Sequence, residues 1–424
     1  MRTLLATTRD RFLLALQYQD YRNLWIATTF SASAAWALII ARGLLAFELT
    51  DGLLWSGIVT FAAMVPRLFA TPISGFLADR FDRQKLLRWI FALNMGNNIL
   101  LALLVMTGLV GPWVLTLLAL VNGTLRASQM TTATALIPNL VPKEHLLNAI
   151  ALNQATQQGA RLAGAMAIAP LLGLVNIESA FWLCSGLYFL GFLQVSRMTI
   201  RSTGVIDESQ GFWANMFEGF VYVYKRPIIM SMVLLVLAHC AFTMSYESML
   251  PAISEDKMGT GRVGVSYLIA GVGAGALFAS VFLAGVRSES TRGKLFLFFA
   301  FSSALGPILL AWSDNTGLSV AATVIMGANQ AGFMTISHTI IQSLTEDHVR
   351  GRVAGVYSVH VGGSMAVTNM ANAAFADVFS ASAVLVVGGL IFVAAVFVSL
   401  GVNPLRRLYF PRPEPAAAVG TPAD

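Results

Sequence analysis

The sequence predicts an all-α integral membrane protein, with twelve transmembrane helices arranged as two pseudo-symmetric six-helix bundles. Three observations predict it: apolar runs of membrane-spanning length recur along the chain, basic residues gather in alternate loops, and local patterns of the first half return in the second. Of 424 residues, 56% are hydrophobic and 11% charged, with a mean hydropathy of +0.71. Soluble chains carry roughly 25% charged residues. At about 1.5 Å per helical residue, a hydrocarbon core of roughly 30 Å needs about 20 apolar residues per crossing.

Reading apolar runs against charged or Pro/Gly breaks predicts spans at 23–48, 54–77, 86–109, 112–137, 147–173 and 178–198, then at 227–252, 263–286, 294–313, 317–342, 351–376 and 381–402. The chain thus divides into an N-terminal bundle over 1–198, a cytoplasmic connector over 199–226, a C-terminal bundle over 227–402 and a tail over 403–424. Beyond Pro404 the tail is rich in Pro and Ala and is expected to be disordered. In the connector, Phe212, Trp213, Met216, Phe217, Phe220 and Val221 fall at helical spacing and predict an amphipathic helix lying on the cytoplasmic face.

Basic residues set the orientation. The even-numbered loops and the two termini hold 21 of the 27 Lys and Arg, Arg42, Arg67, Arg126 and Arg161 lie within spans, and only Lys257 and Arg262 face outside. Both termini are therefore expected to be cytoplasmic, in a multi-pass protein of the plasma (inner) membrane. The first twenty residues lack a signal-peptide apolar core, so insertion is expected to begin at the first span. The net charge of +6 is spent on topology rather than on a basic patch, which argues against nucleic-acid binding. Cys184 and Cys240 sit in apolar runs without metal or disulfide spacing and are expected to pack. Pro142-Lys143-Glu144-His145 after span four matches Thr345-Glu346-Asp347-His348 after span ten, and the basic loop Asp79 to Lys85 returns as Arg287 to Lys294. Parallel repeats of this kind suit a rocking transporter.

The run Gly75-Phe76-Leu77-Ala78-Asp79-Arg80-Phe81-Asp82-Arg83-Gln84-Lys85 resembles the signature loop of the major facilitator superfamily. Gly75 would permit close helix approach, while Asp79, with Arg80 and Arg83, would form a cytoplasmic latch that breaks and reforms during transport. Asp82 and Gln84 stand where the family carries a glycine and a basic residue. The competing reading is a solvated basic loop that serves topology alone. Ala135-Leu136-Ile137-Pro138-Asn139-Leu140-Val141-Pro142-Lys143-Glu144, then Asn148-Ala149-Ile150-Ala151-Leu152-Asn153 and Arg350-Gly351-Arg352-Val353, is similar to the branch of that superfamily containing the enterobactin exporter and macrolide efflux proteins. The resemblance implies two six-helix bundles around a central cavity, and export, usually driven by the proton gradient. It also implies that Arg126 matches the fourth-helix arginine linked to proton coupling. The Gly-Pro pair common in span five of antiporters is absent here. This chain reads Arg161-Leu162-Ala163-Gly164-Ala165, with Pro170 six residues after Gly164 as a different source of a bend.

Ionisable groups inside spans are costly and mark function by default. Counting from the span ends places Arg126, Arg161, His239 and His360 nearest the midplane, and Arg42 and Glu247 nearer the outer mouth. Arginine outnumbers acid, so the cavity is expected to be positive and to favour an anionic or amphipathic acidic substrate. Glu247 is the acid best suited to bind a proton, its rival role being a solvated residue at the outer end of span seven. His239, His338 and His360 are either proton relays or hydrogen-bonded structural residues. Gly271-Val272-Gly273-Ala274-Gly275-Ala276 lies in an apolar run and reads as a helix-packing face, not a nucleotide loop.

The function expected from these features is secondary active transport, a proton-coupled export of a lipophilic or amphipathic small molecule such as a drug, macrolide or siderophore, by a monomer with no cofactor. A lysophospholipid transporter shares the architecture and would use a lateral opening lined with Arg42 or Arg67. A non-transporting membrane receptor is the rival of another class. Catalysis is not expected, for want of a paired carboxylate, metal cluster or nucleophile with its base.

Overall fold

The bilayer offers no water to satisfy backbone polar groups, so a chain this apolar satisfies them within helices. The computed structural model describes residues 14–200, 212–283, 289–346 and 349–409, with the backbone alone at Pro72, Asp79, Leu147, Ala151, residues 212–216, Glu289, Ser290 and Arg407. Every regular element among the described residues is helical. The first half contains α1 (Gln19–Thr50), α2 (Leu53–Met64), α3 (Arg67–Arg80), α4 (Arg83–Met106), α5 (Pro112–Leu140), α6 (Lys143–Leu174) and α7 (Ile177–Ser196). After α8 (Phe212–Lys225) the second half contains α9 (Pro227–His239), α10 (Leu250–Ile253), α11 (Gly261–Leu283), α12 (Glu289–Ser302), α13 (Leu305–Trp312), α14 (Thr316–Ser343), α15 (Arg350–Phe379), α16 (Ala381–Gly401) and α17 (Asn403–Tyr409).

Eight of the described helical stretches are long and apolar enough to cross a membrane: Gln19–Thr50, Leu53–Thr71, Arg83–Met106, Ile177–Ser196, Pro227–Met258, Gly261–Leu283, Thr291–Trp312 and Ala381–Gly401. Four others, α5, α6, α14 and α15, are 28 to 32 residues long. Polar residues such as Asn122, Arg126, Gln157, Arg161, Gln330 and Asn369 interrupt their apolar runs.

Prolines set the main interruptions. Pro66 has no N–H to give Ala62, and α2 ends two residues before it, so α3 restarts at Arg67 after a two-residue turn. Between α9 and α10, a π turn over Cys240–Met244 gives way to non-helical Ser245 and Tyr246 and a 3-10 turn over Glu247–Met249, just before Pro251. By contrast, α6 runs uninterrupted through Pro170.

In the first half α1 packs on α6 and α7, α4 on α5 and α7, and α5 on α2 and α3. In the second, α11 packs on α14, α13 on α14 and α16, and α15 on α8 and α16. Two seams join the halves, α6 against α11 and α2 against α15. Each uses a glycine at the closest approach. A Cβ on Gly273 would lie 2.6 Å from the Leu162 backbone nitrogen, and one on Gly57 would lie 2.7 Å from the Ala373 side chain. At one end of the molecule the halves are also tied by charge. Arg262 Nε and Nη2 donate to the Glu48 carboxylate at 2.6 and 2.9 Å, and the Asp377 carboxylate accepts from the Leu53 and Leu54 amides at 2.7 and 2.8 Å. Asp377 thereby caps the N-terminus of α2 from a helix more than 300 residues away.

The tail begins differently from the disordered segment expected beyond Pro404. Residues Asn403–Tyr409 form α17, because Leu405 and Tyr409 are buried and the Tyr409 hydroxyl meets Ser399 at 2.9 Å. Residues 410–424 lie outside the described residues. The connector helix α8 docks on α15 through Gly219, which faces Arg352 and Val356, and through an ion pair of Arg352 with Glu218 at 2.6 Å. Phe217 is exposed, while the side chains of Phe212, Trp213 and Met216 lie outside the described residues. Cys184 and Cys240 are buried and free, in keeping with packing roles.

Candidate substrate cavity

The unwinding after α9 presents the key polar groups of the second half. Carbonyls that lose their helical partners there are met by side chains: Gln330 Nε2 donates to Thr243 O at 3.2 Å, and Asn372 Nδ2 donates to Ala241 O at 3.2 Å and Ser245 O at 2.8 Å. The freed segment carries Tyr246 and Glu247. Arg161, on α6 of the first half, donates to the Tyr246 hydroxyl at 3.0 Å and pairs with Glu247 Oε1 at 3.5 Å. The guanidinium also sits 4.3 Å from the ring centre of Trp36 on α1. Arg161 and Glu247 side chains are 9% and 2% exposed, so the pair is a desolvated bridge across the two halves. Arg161 Nε and Glu247 Oε2 remain buried without a hydrogen-bond partner. The ion pair is therefore incompletely satisfied.

Glu247 is thus neither solvated nor at an outer mouth. Its helical rod continues beyond residue 252 through α10 and a π turn over Ser254–Met258, which moves Glu247 inward from the end. Sequence counting places the span end too early because Glu255, Asp256 and Lys257 look like a loop.

Arg42 lies in the first half alone. Its Nε donates to Leu38 O at 3.2 Å and Nη1 to Asn122 Oδ1 at 3.1 Å, and Asn122 Nδ2 donates in turn to Asn94 Oδ1 at 2.8 Å. This relay fixes α1, α5 and α4 together. Arg42, Arg67, Asn122 and Arg126 line one cavity, with Ile39, Val59 and Met64 as its apolar wall. Arg126 also lines a second, adjoining cavity with Thr28, Gln129, Asn153, Gln154 and Gln157, and its guanidinium lies 5.9 Å from the Trp36 ring centre.

The histidines fall elsewhere. His239 is buried between Phe333, stacked at 4.1 Å, and Phe392, edge-on at 5.1 Å, and its Nε2 meets Ser303 Oγ at 2.6 Å. It belongs to the apolar core of the second half. His360 bonds the hydroxyl of Tyr224 on the connector helix at 2.8 Å and the Val356 carbonyl at 2.8 Å, and so helps to dock α8. His338 lies 5.2 Å from Tyr357. None of the three meets the Arg161–Glu247 pair.

At the signature loop, Arg83 donates to Ala78 O at 3.0 Å and Ala135 O at 2.8 Å, which ties the α3–α4 turn to α5. Arg80 stacks on Phe76 at 4.6 Å. A Cβ on Gly75 would meet no atom within 4 Å, so Gly75 brings no helix close in this conformation. The Asp79 side chain lies outside the described residues. The two departures from the family pattern have local partners: Asp82 caps α4 by accepting from the Lys85 amide at 3.0 Å, and Gln84 donates to Val195 O and Met198 O at the end of α7. Likewise Asn148 Oδ1 accepts from the Ala15 amide at 3.0 Å, and Tyr21 donates to Ala149 O at 2.8 Å.

Asn94, Asn122 and Gln330 were missed in the sequence. Their signal is an amide inside an apolar run, and Asn122 falls one turn before Arg126 on the same face of α5.

Comparison with known proteins agrees with this architecture. Among solved structures, the nucleoside transporter NupG superposes with a TM-score of 0.72 at 11% identity, covering 93% of this chain and 100% of that one. A POT family transporter in complex with 5-aminolevulinic acid superposes with a TM-score of 0.70 at 9% identity, covering 90% and 96%. The multidrug efflux pump Tap of Mycobacterium tuberculosis is 24% identical over 348 residues, 78% of this chain and 80% of Tap. The uncharacterized MFS-type transporter YfiS of Bacillus subtilis is 22% identical over 214 residues, and the match spans 49% of this chain and 50% of YfiS. The profile of the family described as transmembrane secretion effector matches residues 13–408, nearly the whole helical array. With eight described helical stretches long and apolar enough to cross a membrane and that match along its length, this chain belongs to the transmembrane secretion effector family of MFS-type transporters, and is a transporter and not an enzyme.

Proposed function

We propose that this protein is a proton-coupled exporter of lipophilic or amphipathic small molecules, working as a monomer by alternating access in the plasma membrane with both termini cytoplasmic. The observation that carries the proposal is the buried Arg161–Glu247 pair, because it joins the two halves through charges that a proton can cancel. Deprotonated Glu247 holds Arg161 and the halves together. A proton arriving on Glu247 removes the attraction, frees Arg161 and Tyr246 to meet a substrate, and lets the seam rearrange.

Two regularities support twelve crossings in two bundles. Gln19 and Pro227 open corresponding helices 208 residues apart, and Ile177 and Ala381 do so 204 residues apart. The four less apolar helices fall at the fourth and fifth positions of each set, as a duplicated cavity lining requires. In the proposed orientation the end sealed by Glu48, Arg262 and Asp377 faces outward, so the cavity opens to the cytoplasm. The efflux role draws on Tap, a multidrug efflux pump.

The test uses inverted membrane vesicles, an imposed acid-inside gradient, and a panel of macrolides and acidic and cationic dyes. Accumulation of at least one compound should exceed that in vesicles lacking the protein by about tenfold and collapse with a protonophore. Accumulation insensitive to the protonophore overturns the coupling. No accumulation of any compound overturns export in favour of a receptor.

A further inference from the structure

We propose that the cavity bounded by Arg42, Arg67 and Arg126 is a binding site for a phosphoryl group, and that the molecule transported is a phosphate ester of a hydroxylated compound. This deepens the export reading, since it assigns the chemistry of the cargo to the same chamber.

The charge balance leads to it. Three guanidinium groups line one cavity of about 400 Å³, its opening included, and no carboxylate is among its described lining residues. The carboxylate that approaches this region, Glu247, is engaged by Arg161. Among the described residues Arg67 and Arg126 have neither a hydrogen-bond nor a salt-bridge partner. Arg42 spends two of its five N–H donors, on Leu38 and Asn122, and keeps the rest. Like charges gathered in a medium of low dielectric demand a counter-anion, and a group with two negative charges answers three cations better than a monocarboxylate. Forked donors also match the several oxygens of a phosphoryl group.

The site is built before any ligand arrives. Asn94 holds Asn122, Asn122 holds Arg42, and the break at Pro66 sets the start of α3 that carries Arg67. Arg126 also lines the second cavity, about 550 Å³ with its opening included, where Thr28, Gln129, Asn153, Gln154 and Gln157 offer hydroxyl and amide groups suited to a polyol. An acid group bonded directly to a hydroxylated part would span both.

The ester could come from a lipid headgroup or from a water-soluble metabolite, and glycerol phosphate is the chemistry they share. Binding is measured on the purified full chain in neutral detergent, without a gradient, using sn-glycerol 3-phosphate against glycerol and 1-oleoyl lysophosphatidic acid against 1-oleoylglycerol. The phosphorylated member of at least one pair should bind about tenfold more tightly than its neutral partner. Arg67→Gln should lower that preference at least threefold, and Arg67→Lys should restore part of it. A preference in the soluble pair alone, or in the lipid pair alone, identifies the source. Equal affinity within both pairs, an undiminished preference in Arg67→Gln, or displacement by chloride as effective as by phosphate overturns the proposal. Gradient-driven export of drugs with no phosphate preference sinks this inference alone. Phosphate binding with no gradient-driven movement of any compound sinks the export reading alone.

Discussion

The two halves of the chain put their buried helices to opposite electrostatic uses. The first half carries Arg42, Arg67, Arg126 and Arg161 on its interior helices, with Arg42 tied through Asn122 to Asn94. At the centre of the second half, His239, Phe296, Phe333 and Phe392 stack into an aromatic core, while Glu247 lies buried against Arg161. The difference teaches that two sets of apolar helices packed side by side can carry quite different chemistry. Buried arginines gather on one side of the seam, and Glu247, the buried carboxylate that meets one of them, sits on the other.

The largest way to break this contrast is to remove one member of the pair that crosses it. Arg161→Gln leaves a buried carboxylate unpaired and should cost about 3–5 kcal/mol of stability, read as a large fall in melting temperature. Arg161→Met combined with Glu247→Leu should recover most of that stability and none of the gradient-driven transport. A double variant as unstable as Arg161→Gln would show that the bridge is not what the loss reflects.

A smaller effect is expected at the sealed end. Asp377→Ala removes the cap on α2 and should cost about 0.5–2 kcal/mol of the sealed conformation. Spin-label distances between the starts of α2 and α11 should then broaden toward a separated population. An unchanged distribution would mean that the glycine seams alone hold that end.

The smallest effect is expected in the aromatic core. His239→Phe removes a buried Nδ1 that has no partner together with the Nε2 bond to Ser303, and should leave gradient-driven transport within about twofold of wild type. Loss of gradient dependence in this variant would return His239 to the proton path and erase the division between the halves.

Much of the fold was legible because crossing a bilayer demands long apolar stretches, and those are local in sequence. The two-residue break at Pro66 falls inside the predicted span 54–77, which carries on past it. The site was less legible because its partners are distant. Arg161 meets Tyr246 across 85 residues and Glu247 across 86, and no local pattern encodes that meeting. Depth is misjudged at Glu247, since π turns carry the rod past a charged segment that reads as a loop. His360 reads as interior because its helix is a span, yet its ring meets Tyr224 of the connector. Asp82 and Gln84 look like weakened latch residues until their cap and their contacts with the end of α7 are visible.

The central claim is that a proton on Glu247 drives the change of access. Purified wild type and Glu247→Gln are compared in proteoliposomes for substrate accumulation under a pH gradient and for counterflow without one. Glu247→Gln should keep counterflow and lose accumulation by about tenfold or more. Accumulation equal to wild type would contradict the claim.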